Sequence, residues 1–389
     1  MRALADTQSF RDLIESGSVY VDKTEQIFSL LQNRRTFIAR PYGFGKSLML
    51  DTIGTLLGLG VEPYFRNTWI YGRWTEKSYP VLRLDFQKFS CSDHQKFCED
   101  FDRCLAEFAG RNNFPYVPAE RPLRSMKSLL RSLRSGNIRV AVLIDDYDAP
   151  LAANVSNPEM YERFRISMRE LQGVMKGAPA ISFLCIAAIT RVKDPSEFPG
   201  GSDIRDMSYY GPVSAIAGFT REELIKYYGD FVARAVSLLK GIPEDQISED
   251  QTEDFLDRLS EEYGGYSVDD EYETRVFSPL AVNRFLKYAA LGNEIKFGGS
   301  LFGKGLVPPA LSGYLETLGI SPDSYAEDFY ADSDDFLFPP SLPGMKPEVL
   351  LCQTGLLTAR SPVPDGGTVR LWIPNNRARR ALADLALSR

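Results

Sequence analysis

The stretch Arg40-Pro41-Tyr42-Gly43-Phe44-Gly45-Lys46-Ser47 decides the fold of this chain. It lies between an apolar run, Thr36 to Ala39, that is typical of a strand, and a run from Ser47 to Leu57 that is typical of a helix. A glycine-rich turn in this context binds phosphate, because backbone N–H groups and the helix N-terminus face the anion. Lys46 then supplies a positive charge, and the Ser47 hydroxyl reaches Mg²⁺.

Position 40 departs from the usual pattern of such a loop. The pattern G-x-x-x-x-G-K-[ST] has its first glycine where this chain has Arg40. Gly43 and Gly45 could form an ordinary tight turn, and Lys46-Ser47 could be the solvated start of a helix. The tripeptide alone is weak support for a phosphate site, so the segments that follow decide between the two interpretations.

An acidic pair follows a strongly apolar run. Arg139 to Ile144 is unbroken, as expected for a strand of a parallel sheet that is buried on both faces, and it ends in Asp145 and Asp146. A nucleotide hydrolase needs a carboxylate that holds Mg²⁺ and a group that orients or deprotonates the attacking water. We predict Asp145 for the first role and Asp146 for the second. An ordinary polar loop is the alternative.

A second buried run, Ile181 to Ile189, ends in Thr190 and Arg191, which we predict as catalytic residues together with Lys46 and Asp146. A strand end whose arginine pairs with an acid is the alternative for Thr190-Arg191. Strands alternate with helical stretches here, which predicts a doubly wound α/β sheet that binds ligands at the carboxyl ends of its strands. The glycine turn, the acids and Thr190-Arg191 all follow strands and together favour a nucleotide site.

The pattern becomes helical after Gly218. Thr220 to Glu223 has the spacing of a capping box that opens a helix through Leu239. Further helices are predicted over Glu249 to Tyr263, Pro279 to Ala290 and Pro309 to Leu318. We predict three parts: an α/β core with an N-terminal helical segment over 1–217, a helical lid-like domain over 218–335 and a small C-terminal unit over 336–389.

Composition and charge exclude several classes of protein. With 389 residues, the chain is expected to form two or three domains. Its net charge of -7 argues against a whole surface that binds nucleic acid, and no apolar run is long enough to span a bilayer, so we expect a cytoplasmic protein. The five cysteines form no C-x-x-C pair, and the only histidine, His94, is predicted to be an exposed residue at a helix start.

One stretch of the chain is locally basic. It contains Arg121, Arg124, Lys127, Arg131, Arg134 and Arg139. Solvated faces of helices often have this composition, which is the first interpretation. Nucleic-acid binding through these side chains is the alternative.

At these motifs the chain resembles the AAA-ATPase-like P-loop proteins that often precede a PD-(D/E)XK nuclease-like domain. The resemblance rests on Tyr20-Val21-Asp22-Lys23-Thr24, on Arg40-Pro41 with Phe44-Gly45-Lys46-Ser47-Leu48, on Leu143-Ile144-Asp145 with Tyr147-Asp148-Ala149-Pro150, on Gly218-Phe219-Thr220 with Glu222-Glu223, and on Gln353-Thr354-Gly355-Leu356-Leu357-Thr358 with Ile373-Pro374-Asn375. It also accounts for Arg40, because this family commonly has Arg-Pro where the first glycine would stand.

The resemblance implies a P-loop NTPase of the ASCE/AAA type, with a parallel sheet, flanking helices and a helical lid. The strand that ends at Thr190 is expected between the other two functional strands. Mg²⁺ is expected on Ser47 and on Asp145, the Walker B acid. ATP is expected on the Walker A residues Arg40, Gly43, Phe44, Gly45, Lys46, Ser47 and Leu48.

Three departures from the family pattern qualify these expectations. Asp146 stands where the family usually has Glu, so hydrolysis is expected to be slow, and Tyr42-Gly43 replaces a basic pair. No nuclease motif follows Ile373-Pro374-Asn375, so nuclease activity is not predicted. We expect an ATP hydrolase whose nucleotide state controls a protein partner or self-association. The alternatives are a nucleotide-binding module with little or no turnover and a nucleic-acid-associated ATPase.

Overall fold

A five-stranded parallel sheet lies at the centre of the protein, in the order β2-β3-β4-β1-β5. The computed structural model describes residues 3–4, 7–119, 122–193, 203–298, 306–320, 325, 329–362 and 367–387. The strands of this sheet are β1 (Arg35–Ala39), β2 (Val81–Asp85), β3 (Val140–Asp145), β4 (Ile181–Ala188) and β5 (Arg205–Asp206).

Helices cover both faces of the sheet, because successive side chains of a strand point to opposite faces. On β3, Val142 and Ile144 face the helices α4 (His94–Arg111), α5 (Pro122–Ser135) and α7 (Pro158–Met175), and a short α6 (Ala149–Ala152) precedes α7. Ala141 and Leu143 face the other side, which is covered by α1 (Phe10–Glu15), α2 (Thr24–Leu31) and α3 (Lys46–Leu59).

A helical layer with its own core follows the sheet. It consists of α8 (Arg221–Lys240), α9 (Glu249–Tyr263), the hairpin of β6 (Tyr266–Ser267) and β7 (Arg275–Val276), and α10 (Pro279–Ala290). Leu4, Val19 and Val21 of the N-terminal segment pack into the same core. The N-terminal segment therefore packs against both the sheet and the helical layer.

The C-terminal part contains α11 (Pro309–Thr317), β8 (Phe329–Asp332), α12 (Ser333–Leu337), α13 (Pro347–Thr354), β9 (Thr358–Pro362), β10 (Thr368–Trp372) and α14 (Asn376–Leu387). Its three strands form an antiparallel sheet in the order β8-β10-β9. Its apolar side chains continue the core beneath α4, α5 and α7. The division of the chain at 217 and 335 stays a prediction.

The predicted fold class is confirmed, and β4 lies between β1 and β3 as expected. One prediction about a single residue was wrong. His94 does begin a helix, but its side chain is half-buried, because its ring packs on Phe164 at 5.1 Å between centroids and its Nε2 lies 2.8 Å from Ser167 Oγ. All five cysteines are free thiols. Among the described residues, no helix combines the length and apolar character needed to cross a bilayer.

Candidate nucleotide-binding site

The loop between β1 and α3 depends on two glycines. Gly43 and Gly45 have φ angles of 79° and 92°, in the left-handed region that side chains rarely adopt. A Cβ atom at Gly43 would also lie 3.0 Å from Leu280 of α10, whereas one at Gly45 would meet nothing within 4 Å. Gly45 is the N-cap of α3, so the N-terminal N–H groups of that helix face the loop.

Lys46 lies inside this loop as a buried cation. Its Nζ donates to the carbonyl oxygens of Arg40 and Pro41 at 3.1 and 3.3 Å. Burial lowers the pKa of the Lys46 ammonium, and the charges of Asp146, Asp148 and Asp145 oppose that change. The loop therefore holds one positive charge next to the acids that follow β3.

The two predicted acids differ in their surroundings. Burial raises the pKa of Asp145, against a hydrogen bond from the Ser47 side chain and the charge of Lys46. Burial also raises the pKa of Asp146, to about 7, and the charges of Asp145 and Asp148 add to this effect while Lys46 opposes it. Asp146 has a φ angle of 47°, a strained value for a residue other than glycine. A carboxyl group with a pKa near neutrality can exchange protons at physiological pH.

Ser47 and Asp145 fit the requirements of a Mg²⁺ site. No group of three or more His, Cys, Asp or Glu side chains with metal-binding geometry occurs in the described part of the chain. Mg²⁺ rarely needs such a group, since it is usually held by one or two carboxylates, substrate phosphates and water. Ser47 lies in the first turn of α3 beside the loop, and its side chain lies close enough to Asp145 at the end of β3 to lower the pKa of that carboxyl group.

Asp148 joins the ends of β3 and β4, a role that we did not assign from the sequence. Its carboxylate accepts hydrogen bonds from the Thr190 N–H and Oγ1, both at 2.6 Å, and from the Ile189 N–H at 3.0 Å. Thr190 is buried, and its hydroxyl is used in this contact. In the structure, Thr190 links the end of β4 to Asp148, which follows β3. A catalytic role for Thr190 stays a prediction.

Arg191 lies outside the cavity that contains Lys46. Its guanidinium forms an ion pair with Asp206 of β5 and donates to the carbonyl oxygen of Phe336. Gln353 of α13 accepts from the Arg191 N–H at 2.9 Å and donates to its carbonyl oxygen at 3.0 Å. Arg191 thus connects the sheet to the C-terminal part, and a catalytic role for it stays a prediction.

The Arg40 side chain also points away from that cavity. It is buried and donates to the carbonyl oxygens of Ser208 and, at 3.0 Å, Ser214, in the segment after β5. Burial lowers the pKa of this guanidinium to about 10. The arginine that replaces the first glycine therefore ties the start of the loop to the protein interior, and its predicted contact with nucleotide would be through the backbone.

A cavity of about 720 Å³ opens between the loop, the N-terminal segment and α10. The predicted residues that line it are Gly43, Phe44, Gly45, Lys46, Ser47, Leu48 and Asp146. Val21, Ile216 and Phe219 form part of its apolar wall. This volume is in the range of pockets that bind small molecules. Charged residues line one side of the cavity and apolar residues line another, so it suits a ligand with a charged end and an apolar end.

Two basic residues of α10, Arg284 and Lys287, line the same cavity and were missed in the sequence. Their three-residue spacing puts them on one face of the helix, but only tertiary contacts place that face at the loop. The Leu280 N–H donates to the Gly43 carbonyl oxygen at 3.1 Å, and the Gly218 N–H donates to that of Phe44 at 3.0 Å.

Comparison with known proteins assigns the first half of the chain to a family. Residues 5–197 match a family model that is described as "Predicted AAA-ATPase". This part of the chain belongs to the AAA-ATPase-like family. The assignment supports nucleotide binding, and it leaves the binding loop, magnesium, turnover and the role of each residue as predictions.

Three individual proteins are also similar to this chain. The uncharacterized protein in the vnfD 5′ region of Azotobacter chroococcum mcd 1 is 31% identical over 225 residues, which are 56% of this chain and 43% of that protein. A Walker-type ATPase of Pyrococcus abyssi is 12% identical with a TM-score of 0.43, over 93% of this chain and 94% of that one. Cdc6p from Pyrobaculum aerophilum is 14% identical with a TM-score of 0.34, over 99% and 96%.

Proposed function

We propose that this protein binds Mg²⁺-ATP in the cavity beside the β1–α3 loop, hydrolyses it, and uses its nucleotide state as a switch on a protein partner. One observation carries the proposal. The glycine loop after β1, Asp146 after β3 and the basic face of α10 line a single cavity. A cytoplasmic location belongs to the same proposal.

The residues at the loop would bind the phosphates. Backbone N–H groups from Gly43 to Ser47 and the N-terminus of α3 provide donors, and Lys46 provides a charge that is already desolvated. Arg284 and Lys287 add positive charge from the other wall of the cavity. The apolar wall that contains Val21 and Phe219 then suits the base.

Ser47 and Asp145 would hold Mg²⁺, which neutralises charge on the phosphate oxygens when it is bound. Asp146 would orient the attacking water and accept its proton. A base works best when its pKa lies near the working pH, and a pKa of about 7 for Asp146 meets that condition. Its side chain is one methylene shorter than Glu, so we expect slow turnover with normal binding.

Direct hydrogen bonds connect the loop to the helical layer and support the switch. The Gly43 and Phe44 carbonyl oxygens accept from Leu280 at the start of α10 and from Gly218 before α8. A change in loop conformation on phosphate binding would displace both elements, because a hydrogen bond between backbone groups tolerates little stretching. A partner protein that contacts α8 or α10 would then distinguish the nucleotide states.

Replacing the loop lysine tests the binding step. We expect Lys46→Ala to weaken Mg²⁺-ATP binding by roughly 100-fold, about 2.7 kcal/mol, since it removes a charge-assisted contact. Titration calorimetry with ATP and with GTP, with and without Mg²⁺, measures the effect and the base preference. Lys226→Ala, which removes an exposed cation of α8 outside the cavity, is the matched control. Equal affinities of Lys46→Ala and the unaltered protein would remove the proposed site.

A second candidate function is nucleotide binding without useful turnover, and Asp146 in place of Glu favours it. If Asp146 is the base, Asp146→Glu will raise the rate of phosphate release and Asp146→Asn will abolish it, both with unchanged ATP affinity. A phosphate-release assay under single-turnover conditions separates the two candidates. Identical background rates for the unaltered protein and Asp146→Asn, with rescue in Asp146→Glu, would establish the binding module.

A further inference from the structure

The exposed face of α5 carries a regular row of cations. Arg124, Lys127, Arg131 and Arg134 are all exposed, while Met126, Leu130 and Leu133 are among the residues that bury the opposite face. Spacings of three, four and three residues place the cations on one side of the helix, roughly 4.5 to 6 Å apart along its axis. The row is therefore a line of charge roughly 15 Å long.

Within the described residues, the cations of this row have no acidic partners of the kind that neutralise cations on the neighbouring helix α7. On α7, Arg163 pairs with Glu159 at 2.8 Å and Arg165 pairs with Glu162 at 2.5 Å. No ion pair is made by the four α5 cations within the described part of the chain, and the sequence from 122 to 139 contains no Asp or Glu. Arg121 lies outside the described residues. A merely solvated helix face commonly has acids three or four residues from its cations, and Lys127, Arg131 and Arg134 have none at those spacings in the sequence.

The row leads to a basic pocket at the edge of the sheet where the strands begin. The Asn137 N–H donates to the Arg134 carbonyl oxygen at 3.0 Å, so the end of α5 turns directly into this edge. The pocket has a volume of about 570 Å³ and is lined by Arg139, Lys77 and Arg34 among others. Of these, Arg34 pairs with Glu76 at 2.6 Å, whereas Arg139 and Lys77 have no ion-pair partner among the described residues. The positive charge thus continues from the helix into the pocket.

We propose that the α5 row and this pocket bind the phosphodiester backbone of a nucleic-acid strand. The other exposed residues of α5 are Ser128, Ser132 and Ser135. The hydroxyl groups of Ser128 and Ser132 are suitable donors to phosphate, whereas that of Ser135 donates to the Arg131 carbonyl oxygen at 3.1 Å. A membrane-binding helix needs exposed apolar side chains for insertion, and a protein-binding face needs an apolar or aromatic centre. The face between these cations offers neither.

This surface lies at the opposite edge of the sheet from the ATP site, so the proposal does not depend on the proposed function. The pocket adjoins the strand starts, at Arg139 and at Ser182 of β4. The loop and the acids follow the strand ends. Net charge does not contradict local binding, because a line of unpaired cations attracts phosphates within a Debye length of about 10 Å.

Salt-dependent binding of oligonucleotides tests the proposal. The protein is titrated into labelled single-stranded and duplex oligonucleotides of equal length, and fluorescence anisotropy is measured at several salt concentrations. Each lost phosphate contact lowers the slope of log K against log salt by roughly 0.7 to 0.9. We expect the variant Arg124→Gln, Lys127→Gln, Arg131→Gln and Arg134→Gln to lower the slope by roughly 3 and to weaken binding more than tenfold.

A matched control removes the same charge elsewhere. Arg66→Gln, Lys226→Gln, Lys240→Gln and Arg258→Gln change four exposed cations outside the row and the pocket. This variant should bind like the unaltered protein, and thermal melting checks that both variants fold. The strand and duplex arms identify which form of nucleic acid the row accepts. If the α5 variant fails to fold, Lys77→Gln with Arg139→Gln tests the pocket, with an expected loss of roughly 1.5 in slope.

Three results would overturn the proposal. The first is the absence of salt-sensitive binding to either oligonucleotide. The second is an equal loss in the α5 variant and the control, which would mean that net charge alone determines binding. The third is binding to vesicles with anionic phospholipid headgroups and to neither oligonucleotide, which would assign the row to membrane phosphates. ATP affinity is measured in parallel and should be unchanged in both variants, whether or not the ATP proposal holds.

Discussion

The carboxylate of Asp206, in β5, forms ion pairs with Arg191 and Lys193. Burial alone would raise its pKa, but the charges of Arg191 and Lys193 hold the pKa well below its usual range. Lys193 Nζ lies 3.0 Å from the carboxylate, and the Ser208 N–H and hydroxyl donate to it at 3.0 and 2.7 Å. The position of Arg191 therefore depends on the charge of one residue in a two-residue strand.

This pair predicts a pH-dependent stability. A carboxyl group with a lowered pKa in the folded state stabilises the protein above its unfolded pKa of about 4 and loses that contribution as the pH falls. We expect Asp206→Asn to lower the free energy of unfolding by about 2 to 4 kcal/mol at pH 7, because the largely buried Arg191 side chain loses its carboxylate partner. The difference should shrink below about pH 4.

Urea unfolding at several pH values measures the contribution of Asp206. Asp254→Asn is the control, because Asp254 forms an exposed pair with Lys240 on the helical layer. An exposed pair contributes about 0 to 1 kcal/mol, so the control should change little at any pH. A loss in Asp206→Asn that stays constant from pH 7 to acid would contradict the assignment of stability to the ionised carboxylate.

Among the helices, strands and loops, the sequence alone predicts those whose residue pattern lies within one short segment. β3 and β4 are runs of apolar residues buried on both faces, and their predicted ends agree with the structure to within one or two residues. The β1–α3 loop follows from glycines that need left-handed φ angles. β5 was missed because Arg205 and Asp206 are polar, and only the pairing with β1 makes them a strand.

Contacts between distant elements could not be predicted. The basic face of α10 lines the cavity only because the start of that helix is hydrogen-bonded to Gly43. Arg40 and Arg191 are ordinary basic residues in the sequence. Arg40 donates to Ser208, 168 positions away, and Arg191 donates to Phe336, 145 positions away. Periodicity and motif spacing contain no information on such pairs. They do indicate where most strands of the parallel sheet begin and end.

The N-terminal segment is attached to α8 through one buried ion pair. Lys23 Nζ donates to both carboxylate oxygens of Glu223 at 2.6 Å. Glu223 also completes the capping box of α8, because its carboxylate accepts from the Thr220 N–H at 2.8 Å. Burial lowers the pKa of the Lys23 ammonium, and Glu223 opposes this change. The pair thus connects the motif that precedes α2 to the first turn of the helical layer.

We expect the loss of both partners to destabilise the protein by less than the sum of the two single losses. Lys23→Met should cost about 3 kcal/mol because it leaves the partly buried Glu223 carboxylate without a cation, and Glu223→Gln should cost a similar amount. The double variant should cost less than the sum by about 1 to 3 kcal/mol. Urea unfolding of the four proteins gives this coupling energy. Additive losses would show that the two side chains act independently.

At the scale of the whole molecule, one apolar core extends from the sheet into the C-terminal part. Val349, Leu350 and Leu371 belong to the same buried cluster as Val142 and Ile144 of β3. Polar contacts follow the same route. The Tyr161 hydroxyl of α7 accepts from the Leu342 N–H at 3.2 Å, and Gln353 is bonded to both backbone groups of Arg191. These contacts favour a single cooperative unit over a separable C-terminal unit.

Truncation at the predicted boundary distinguishes a shared core from a separate one. A chain that ends at residue 335 would lose α13, β9, β10 and α14, and it would expose the apolar side chains that these elements cover beneath α7. Each fully buried Leu or Val side chain contributes about 1.5 to 3 kcal/mol, so losing several of them exceeds the 5 to 15 kcal/mol that stabilises most proteins. We expect this chain to aggregate or to bind a dye specific for exposed apolar surface.

The full chain should unfold in urea in one transition, seen equally by tryptophan fluorescence and circular dichroism. A truncated chain with native circular dichroism and normal ATP affinity would instead establish 336–389 as an independent unit, because the core under α7 would then be complete without it.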